Sequence, residues 1–174
     1  MIQRHADDPQ RVVQLARAQE RELRAWLFEG RPPGSFTDSA ATVGEAVRRL
    51  QAQAEASHGV RVDAVVVGDC PLGEGLEPLL AAAREATVNA AKFSGAEVVS
   101  VFAEVEPDRV SVFVRDRGRG FDPRNVAPDR KGIAQSIVGR MERAGGKATV
   151  RSSPGGGTEI ELSIPRRSDA PARL

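Results

Sequence analysis

Three side chains of different chemistry share one face of a predicted helix. Glu85, Asn89 and Lys92 stand at positions i, i+4 and i+7, which places a carboxylate, an amide and an ammonium in one row on an alanine-rich segment. Asparagine is a poor residue for a helix interior, and an amide oxygen beside a carboxylate is a suitable pair of ligands or water-positioning groups for Mg²⁺. Lys92 could then offset the charge of a phosphate. The alternative is an ordinary solvated Glu/Lys face, and this helix alone does not decide between the two.

A second cluster follows a β-branched segment and reads Asp116-Arg117-Gly118-Arg119-Gly120-Phe121. A carboxylate only accepts hydrogen bonds, so Asp116 could read an exocyclic amine, while glycines let a ligand approach the backbone closely. A strand that simply ends in a glycine turn fits the same residues. The dinucleotide-binding fingerprint is excluded, because Pro123 stands three positions after Gly120 and no helix directly follows the strand.

A third cluster, Gly155 to Thr158, leads into the last predicted strand, and alone it is typical of a hairpin turn. Nearby, Gly146-Lys147-Ala148 lacks the Ser or Thr and the upstream glycine of a phosphate-binding loop. That class of ATPase is therefore excluded.

Hydrophobic periodicity predicts the elements that must position these clusters. The helix carrying Glu85 extends over about 76–91, and another begins near Val43 and closes near Gly59. A further helix is predicted over 132–144, and strands are predicted at about 60–67, 97–105, 109–116, 147–152 and 158–164. This order predicts an α+β fold, a two-layer sandwich in which a mixed, mainly antiparallel sheet is covered on one face by helices.

The segment from Arg117 to Lys131 contains Gly, Pro, Asp, Asn and Arg with almost no apolar residue except Phe121. It is predicted to be a mobile loop, and loops of this length are usually functional.

An amphipathic helix is predicted from Asp8 to Phe28, with a narrow apolar stripe that suits packing on a partner helix; an ordinary surface helix is the alternative. The segment GRPPGSF separates it from the rest. We therefore predict a helix and linker over 1–34, a main domain over 35–165 and a disordered tail over 166–174.

Composition excludes several classes of function. The 174 residues include 25 Lys and Arg, 24 Asp and Glu, two His and one Cys, with a net charge of +1. A single Cys and two distant His residues form neither an intrachain disulfide nor a zinc site. The charge is not gathered into a basic block, which argues against nucleic acid as a partner. No apolar run is long enough to span a membrane, so a cytoplasmic location is expected.

In order and spacing, the three clusters resemble the boxes of the ATP-binding domain shared by sensor histidine kinases, DNA gyrase, Hsp90 and MutL. The N box appears as EATVNAAKFSG, the first glycine box as DRGRGFDP and the last as GGGT. Within this family, RAQERELRAWLFEG and GIAQSIVGRMERAGGKATVRSSPGGGTEIEL resemble two-component kinases that pair with NarL/LuxR-type regulators, especially the actinobacterial branch. The resemblance covers residues 8–165 and implies the Bergerat ATP-binding fold.

The resemblance also implies ATP and Mg²⁺ as ligands and gives each residue of the helix a role. Asn89 would ligate the Mg²⁺ that bridges the phosphates. Glu85 would orient or deprotonate the reacting group and could contact the metal through water. Lys92 would face the ribose or a phosphate.

At the other end of the nucleotide, Asp116 would accept a hydrogen bond from the adenine amino group. Gly118 and Gly120 would shape the pocket, and Thr158 would support the adenine through water. The loop after Phe121 would be a lid that ends at Gly132. The resemblance therefore implies further nucleotide contacts from Phe121 and from the residues at the end of the lid, Lys131, Gly132 and Ile133.

Two positions depart from the family pattern. Phe93 stands where such N boxes usually carry His or Tyr, which removes a polar contact near the phosphates. The second glycine box is reduced to Gly132-Ile133-Ala134, without the Gly-x-Gly of many relatives, so it offers fewer backbone N–H groups to the terminal phosphate.

The phosphoacceptor is missing, since no H-[DE]-x-x-x-Q pattern occurs and His5 lies in a predicted loop. The chain resembles the C-terminal catalytic part of a longer protein histidine kinase, one that can be membrane-anchored upstream. Such a kinase would be a homodimer through the helix near residues 8–28 and would pass phosphate to a response regulator. Two alternatives remain: an anti-sigma-factor serine kinase, and a degenerate module that binds partners without ATP turnover.

Overall fold

The computed structural model describes residues 40–73, 75–122 and 128–166. For 128–134 it describes the backbone and not the side chains. The helix predicted over 8–28, the domain boundary near residue 34, most of the predicted tail and positions 123–127 of the predicted loop lie outside the described residues. These expectations stay predictions.

The described chain forms three helices and five strands in an α+β arrangement. In chain order they are α1 (Val43–His58), β1 (Arg61–Val67), α2 (Glu77–Phe93), β2 (Val98–Val105), β3 (Arg109–Asp116), α3 (Pro128–Arg143), β4 (Lys147–Ser152) and β5 (Thr158–Pro165). The strands form one sheet in the order β1-β2-β3-β5-β4, in which only β1 and β2 pair in parallel. The predicted mixed, mainly antiparallel sheet is confirmed.

Burial alternates along the central strands, so one face of the sheet carries the core. The α2 helix contributes mainly alanines to this core, and small side chains let a helix lie close to a sheet. The fully buried larger side chains come from all three helices and from the sheet: Val47, Leu50, Leu79, Leu80, Ile137, Met141, Val99, Val101, Val110 and Leu162. The site therefore rests on a rigid layer of helices packed on strands.

One predicted boundary is wrong. The composition predicts a loop through Lys131 and a helix that begins at Gly132, whereas α3 begins one turn earlier, at Pro128. Proline is well suited to a first helical position, because its fixed φ matches the helix and its missing N–H would have no partner there. The polar composition that favours a loop is equally compatible with the first turn of a helix.

Among the helices that the structure describes, none is long and apolar enough to cross a membrane.

Candidate functional site

A cavity lies where α2, α3 and the ends of β3 and β5 meet. It encloses about 700 Å³, including a part open to solvent. Its walls are mostly apolar, and its few polar groups include Asn89, Asp116 and Thr158. The apolar walls come from both helices and from three strands: Ala86, Ala90, Ile137, Val114, Val150 and Ile160. A mostly apolar cavity with a few polar groups is typical of a small-molecule site.

Asp116 lies at the end of β3, between β2 and β5, and its residue surface is 4% exposed. One carboxylate oxygen, Oδ1, accepts a hydrogen bond of 2.8 Å from the backbone N–H of Gly118. Among the described residues, no cation forms an ion pair with this carboxylate. Because a buried carboxylate is costly unless it is hydrogen-bonded, a ligand that donates a hydrogen bond would be strongly favoured here.

The glycines next to Asp116 are required by close backbone packing. A Cβ atom on Gly118 would lie 2.2 Å from the carbonyl oxygen of Ser94, at the end of α2. Gly120 has a φ of +54°, and a Cβ there would lie 2.0 Å from the carbonyl oxygen of Ser153. From sequence, these glycines were interpreted as allowing close approach of a ligand. In the structure they let the β3 end pack directly against α2 and against the β4–β5 turn.

The GGGT segment meets the same junction from the other side. It forms the turn between β4 and β5, as its sequence alone suggested, and a Cβ on Gly157 would lie 2.2 Å from the carbonyl oxygen of Asp116. The backbone N–H of Gly155 also donates to the carbonyl of Arg119 at 2.7 Å. Three segments that are distant in sequence are therefore joined backbone to backbone beneath the cavity.

Ser152 is a member of the site that sequence reasoning missed. Its hydroxyl accepts a hydrogen bond of 2.9 Å from the N–H of Phe121 and donates one of 2.8 Å to the carbonyl of Gly157. It also lies 3.0 Å from the hydroxyl of Thr158. Phe121 and Thr158 both line the cavity. A serine before a glycine turn carries no signal of this role in sequence.

Asn89 also lines the cavity, from α2, and we call the part of the cavity next to it the Asn89 end and the part next to Asp116 on β3 the Asp116 end. Its side-chain nitrogen, Nδ2, is buried and has no hydrogen-bond partner among the described residues. Leaving a buried polar atom unsatisfied costs about 1–3 kcal/mol, so such an atom calls for a partner such as a water molecule, an ion or a ligand. Half a turn of the amide exchanges its oxygen and nitrogen, and the group can therefore offer either atom.

Glu85 lies one helical turn before Asn89 and is not among the residues that line the cavity. Its Oε2 accepts a hydrogen bond of 3.0 Å from Nη1 of Arg140, on α3. The two residues are 55 positions apart, so the sequence pattern gave no indication of this ion pair.

Lys92 is exposed and is likewise absent from the cavity wall. It lies on the side of α2 that faces His58, whose pKa is lowered by burial and, to a smaller extent, by the charges of Lys92 and Arg84. Phe93, with 44% of its surface exposed, lines the cavity instead. With 3.6 residues per turn, Phe93 lies about 40° from Asn89 around the helix, on the side of the cavity, whereas Lys92 lies about 60° from Asn89 on the other side, together with Glu85.

The remaining predicted contacts, Lys131, Gly132 and Ile133, lie in the first half of α3. Their side chains are outside the described ones, so their contacts with a nucleotide stay a prediction.

The described residues fit Mg²⁺ only if a bound ligand supplies some of the oxygen atoms that coordinate the metal. Among them, no group of three or more His, Cys, Asp or Glu side chains could hold a metal ion alone. Asn89 and Glu85 offer oxygen atoms from adjacent turns of one helix. Because Mg²⁺ usually keeps water and takes one or two protein ligands together with phosphate oxygens, this sparse donor set is compatible with Mg²⁺ on a bound nucleotide.

Comparison with known proteins gives a consistent result. The family model described as "Histidine kinase-, DNA gyrase B-, and HSP90-like ATPase" matches residues 76–168, just over half of the chain. The signal transduction histidine-protein kinase/phosphatase DegS of Bacillus subtilis is 35% identical over 86 residues, which cover 48% of this chain and 22% of DegS. The sensor histidine kinase LiaS of the same organism is 27% identical over 155 residues, which cover 88% of this chain and 42% of LiaS.

Among solved structures, the ATP binding domain of PrrB from Mycobacterium tuberculosis superposes with a TM-score of 0.55 at 24% identity. The match covers 71% of this chain and 93% of that structure, which supports the same fold. The chain thus spans less than half the length of the curated relatives named above but nearly the whole of an isolated ATP-binding domain.

Proposed function

The chain belongs to the histidine kinase-, DNA gyrase B- and HSP90-like ATPase family, and from this premise we propose that it is the ATP-binding catalytic portion of a sensor histidine kinase. The observation that carries the proposal is the buried carboxylate of Asp116 in the wall of an apolar cavity that is also lined by Asn89, whose amide nitrogen has no hydrogen-bond partner among the described residues. The Asp116 end suits a base with an exocyclic amine, and the Asn89 end suits a negatively charged group with its metal ion.

The adenine ring would occupy the Asp116 end of the cavity. Its amino group would donate to the carboxylate oxygen that Gly118 leaves available, and the apolar side chains of Val114 and Ile160 would cover the ring faces. Thr158, whose hydroxyl lies near that of Ser152, would reach the ring through a water molecule.

The phosphates would extend along α2 towards Asn89. Mg²⁺, when bound, neutralises phosphate charge and helps to align the terminal phosphoryl group. Asn89 would hold the metal through its amide oxygen. Glu85 would orient or deprotonate the attacking group with the carboxylate oxygen that Arg140 does not occupy. Lys131, Gly132 and Ile133 would contact the nucleotide from the beginning of α3.

The phosphoryl acceptor would be a histidine on a dimerisation helix outside this chain. From there the phosphate would pass to an aspartate of a response regulator, for which we propose the NarL/LuxR type. The helix near residues 8–28 would belong to the dimer interface of the parent kinase. A cytoplasmic location follows from the use of ATP.

A calorimetric titration with a nonhydrolysable ATP analogue, with and without Mg²⁺, tests the proposal. We expect micromolar to sub-millimolar binding that strengthens with Mg²⁺, and clear discrimination against the GTP analogue, which has a carbonyl oxygen in place of the adenine amine. Absence of binding at millimolar analogue would contradict the proposal and favour a module that binds partners without ATP, for which Phe93 in the cavity wall is the structural feature to examine first. If binding is found, phosphate transfer to a histidine-bearing dimerisation helix supplied in trans is the next measurement.

A further inference from the structure

Arg140 connects α3 to the helix that carries the predicted metal and catalytic groups. Its Nη1 lies 3.0 Å from Oε2 of Glu85, and the two side chains are 35% and 26% exposed. Surface ion pairs of this protein are more open: in the Arg151–Glu159 pair the exposed fractions are 63% and 35%. A partly buried pair is less screened by solvent and ions than an exposed one.

Both partners of this pair lie on helices that are packed into the core. Ile137 and Met141, which flank Arg140 on α3, are fully buried, and Ala86 and Thr87, which follow Glu85 on α2, are buried as well. The helices therefore cannot slide past each other without disturbing the core. The geometry of the pair is set by the fold and not by two flexible surface side chains.

We propose that Arg140 is a positioning residue for Glu85. The guanidinium holds Oε2, restricts the rotamers of the Glu85 side chain and leaves Oε1 to act on the reacting group. The proposal rests on the proposed function, because it assigns Arg140 a role through Glu85 and not through contact with ATP. It also makes the position of α3, whose first turn falls within the predicted lid, a condition for the correct orientation of Glu85.

The chemistry of the guanidinium supports a positioning role over simple charge neutralisation. Arginine presents several N–H donors in a fixed plane, whereas lysine is a flexible point charge. Arg140→Lys should therefore retain the attraction between the helices but orient the Glu85 carboxylate less well. Arg140→Gln should lose both the charge and most of the orientation.

A double-mutant cycle with Arg140→Gln, Glu85→Gln and their combination tests this proposal on the full chain. Phosphate transfer to the dimerisation helix supplied in trans is measured over a range of Mg²⁺–ATP concentrations, together with calorimetric binding of the nonhydrolysable analogue and thermal unfolding of every variant. Arg151→Gln is the matched control, since it also removes an arginine that pairs with glutamates, Glu159 and Glu161, at an exposed position of the edge strand β4.

We expect Arg140→Gln to lower kcat about tenfold, a fraction of the 10²–10⁴ that a positioned acid or base contributes, while KM and the dissociation constant of the analogue stay within about twofold. In the Glu85→Gln background the same substitution should have almost no further effect on kcat. Arg140→Lys should recover part of the loss, and Arg151→Gln should match the wild type.

Equal effects of Arg140→Gln in both backgrounds, or a loss that appears only in KM or only in thermal stability, would overturn the positioning role. A wild-type chain that binds no ATP analogue would overturn the proposed function, and this proposal with it. The binding measurement thus separates failure of the proposed function from failure of the positioning role alone.

Discussion

The two ends of the cavity are built in different ways. At the Asp116 end, the backbone of Gly118 and Gly120 lies directly against other backbone, and the hydroxyl of Ser152 joins two further segments. At the Asn89 end, the amide nitrogen has no protein partner among the described residues, and Glu85 is held by a single guanidinium from α3. One end is supported by the fold itself, and the other depends on individual side chains.

This difference suggests a division between recognition and chemistry. A preformed end binds its part of a ligand with little loss of conformational freedom on binding. An end with unsatisfied groups is completed by the ligand and its metal. Substitutions at the Asp116 end should therefore affect stability together with base recognition, and substitutions at the Asn89 end should affect metal-dependent binding with little change in stability.

The largest effect is expected for Gly120→Ala. A left-handed φ costs a non-glycine residue about 1–2 kcal/mol, and the new Cβ would meet the carbonyl oxygen of Ser153 in a site where overpacking costs about 1–3 kcal/mol more. We expect the free energy of unfolding to fall by about 3 kcal/mol, measured by urea denaturation. Gly155→Ala is the control, because Gly155 has a φ of +74° and a Cβ added there would have no atom within 4 Å. It should cost only about 1 kcal/mol, and equal losses would show that the close backbone packing is unimportant.

Next in size is Asp116→Asn. An asparagine oxygen can still accept from the Gly118 N–H, but its NH₂ group would face the adenine amine, donor against donor. Losing a charge-assisted hydrogen bond costs about 1.5–3 kcal/mol, so calorimetry should show ATP affinity about tenfold to a hundredfold lower. Asp63→Asn, an exposed substitution on β1, should leave affinity unchanged. Unaltered affinity in Asp116→Asn would remove the assignment of this end to the base.

Asn89→Ala should show most clearly that the two ends of the cavity have different roles. Its affinity for the ATP analogue should fall about tenfold with Mg²⁺ present, a loss typical of disturbed metal sites, and much less without Mg²⁺. The melting temperature should not fall, because the amide nitrogen makes no hydrogen bond with the described residues and alanine favours a helix. The metal-ligand role would be refuted by equal losses in the two titrations.

The smallest effect is expected for Ser152→Ala. The substitution removes hydrogen bonds to the N–H of Phe121 and the carbonyl of Gly157, and a net loss of about 1 kcal/mol in stability should follow. ATP affinity should fall slightly, since Phe121 and Thr158 lose a shared support. Thr149→Ala, on the same strand, is the control. If stability is unchanged while affinity falls sharply, the hydroxyl contacts the ligand directly and the described support is not its role.

Sequence predicted the elements well where local periodicity determines them. The predicted bounds of the strands over 109–116 and 147–152 coincide with β3 and β4, because alternation and turn residues are local signals. The sequence motifs also singled out Asn89 and Asp116, and both line the cavity, while their roles stay predictions. The N-terminal boundary of α3 was missed, since a polar first helical turn resembles a loop in composition.

Contacts between segments that are distant in sequence could not be predicted from the sequence. Neither the pairing of Glu85 with Arg140 nor the hydrogen bond from the Phe121 N–H to the Ser152 hydroxyl follows from any spacing in the chain, because tertiary packing creates them. The sequence pattern placed Lys92 on the same helical face as Asn89, because three- and four-residue spacing defines only a broad face. The cavity is lined by only part of that face, which includes Asn89 and not Lys92.

The sheet order has a consequence for how the protein folds. The strand β5 comes last in sequence but lies inside the sheet, between β3 and β4. The β4–β5 hairpin can form locally, whereas β3 must wait for a partner that follows much later, and such non-local pairings form slowly. During synthesis β3 therefore keeps one edge unpaired, which exposes the nascent chain to misassociation until the hairpin docks. Because Asp116 meets Gly157 and Thr158 only in that step, ATP can stabilise the finished domain but cannot guide the earlier stages of folding.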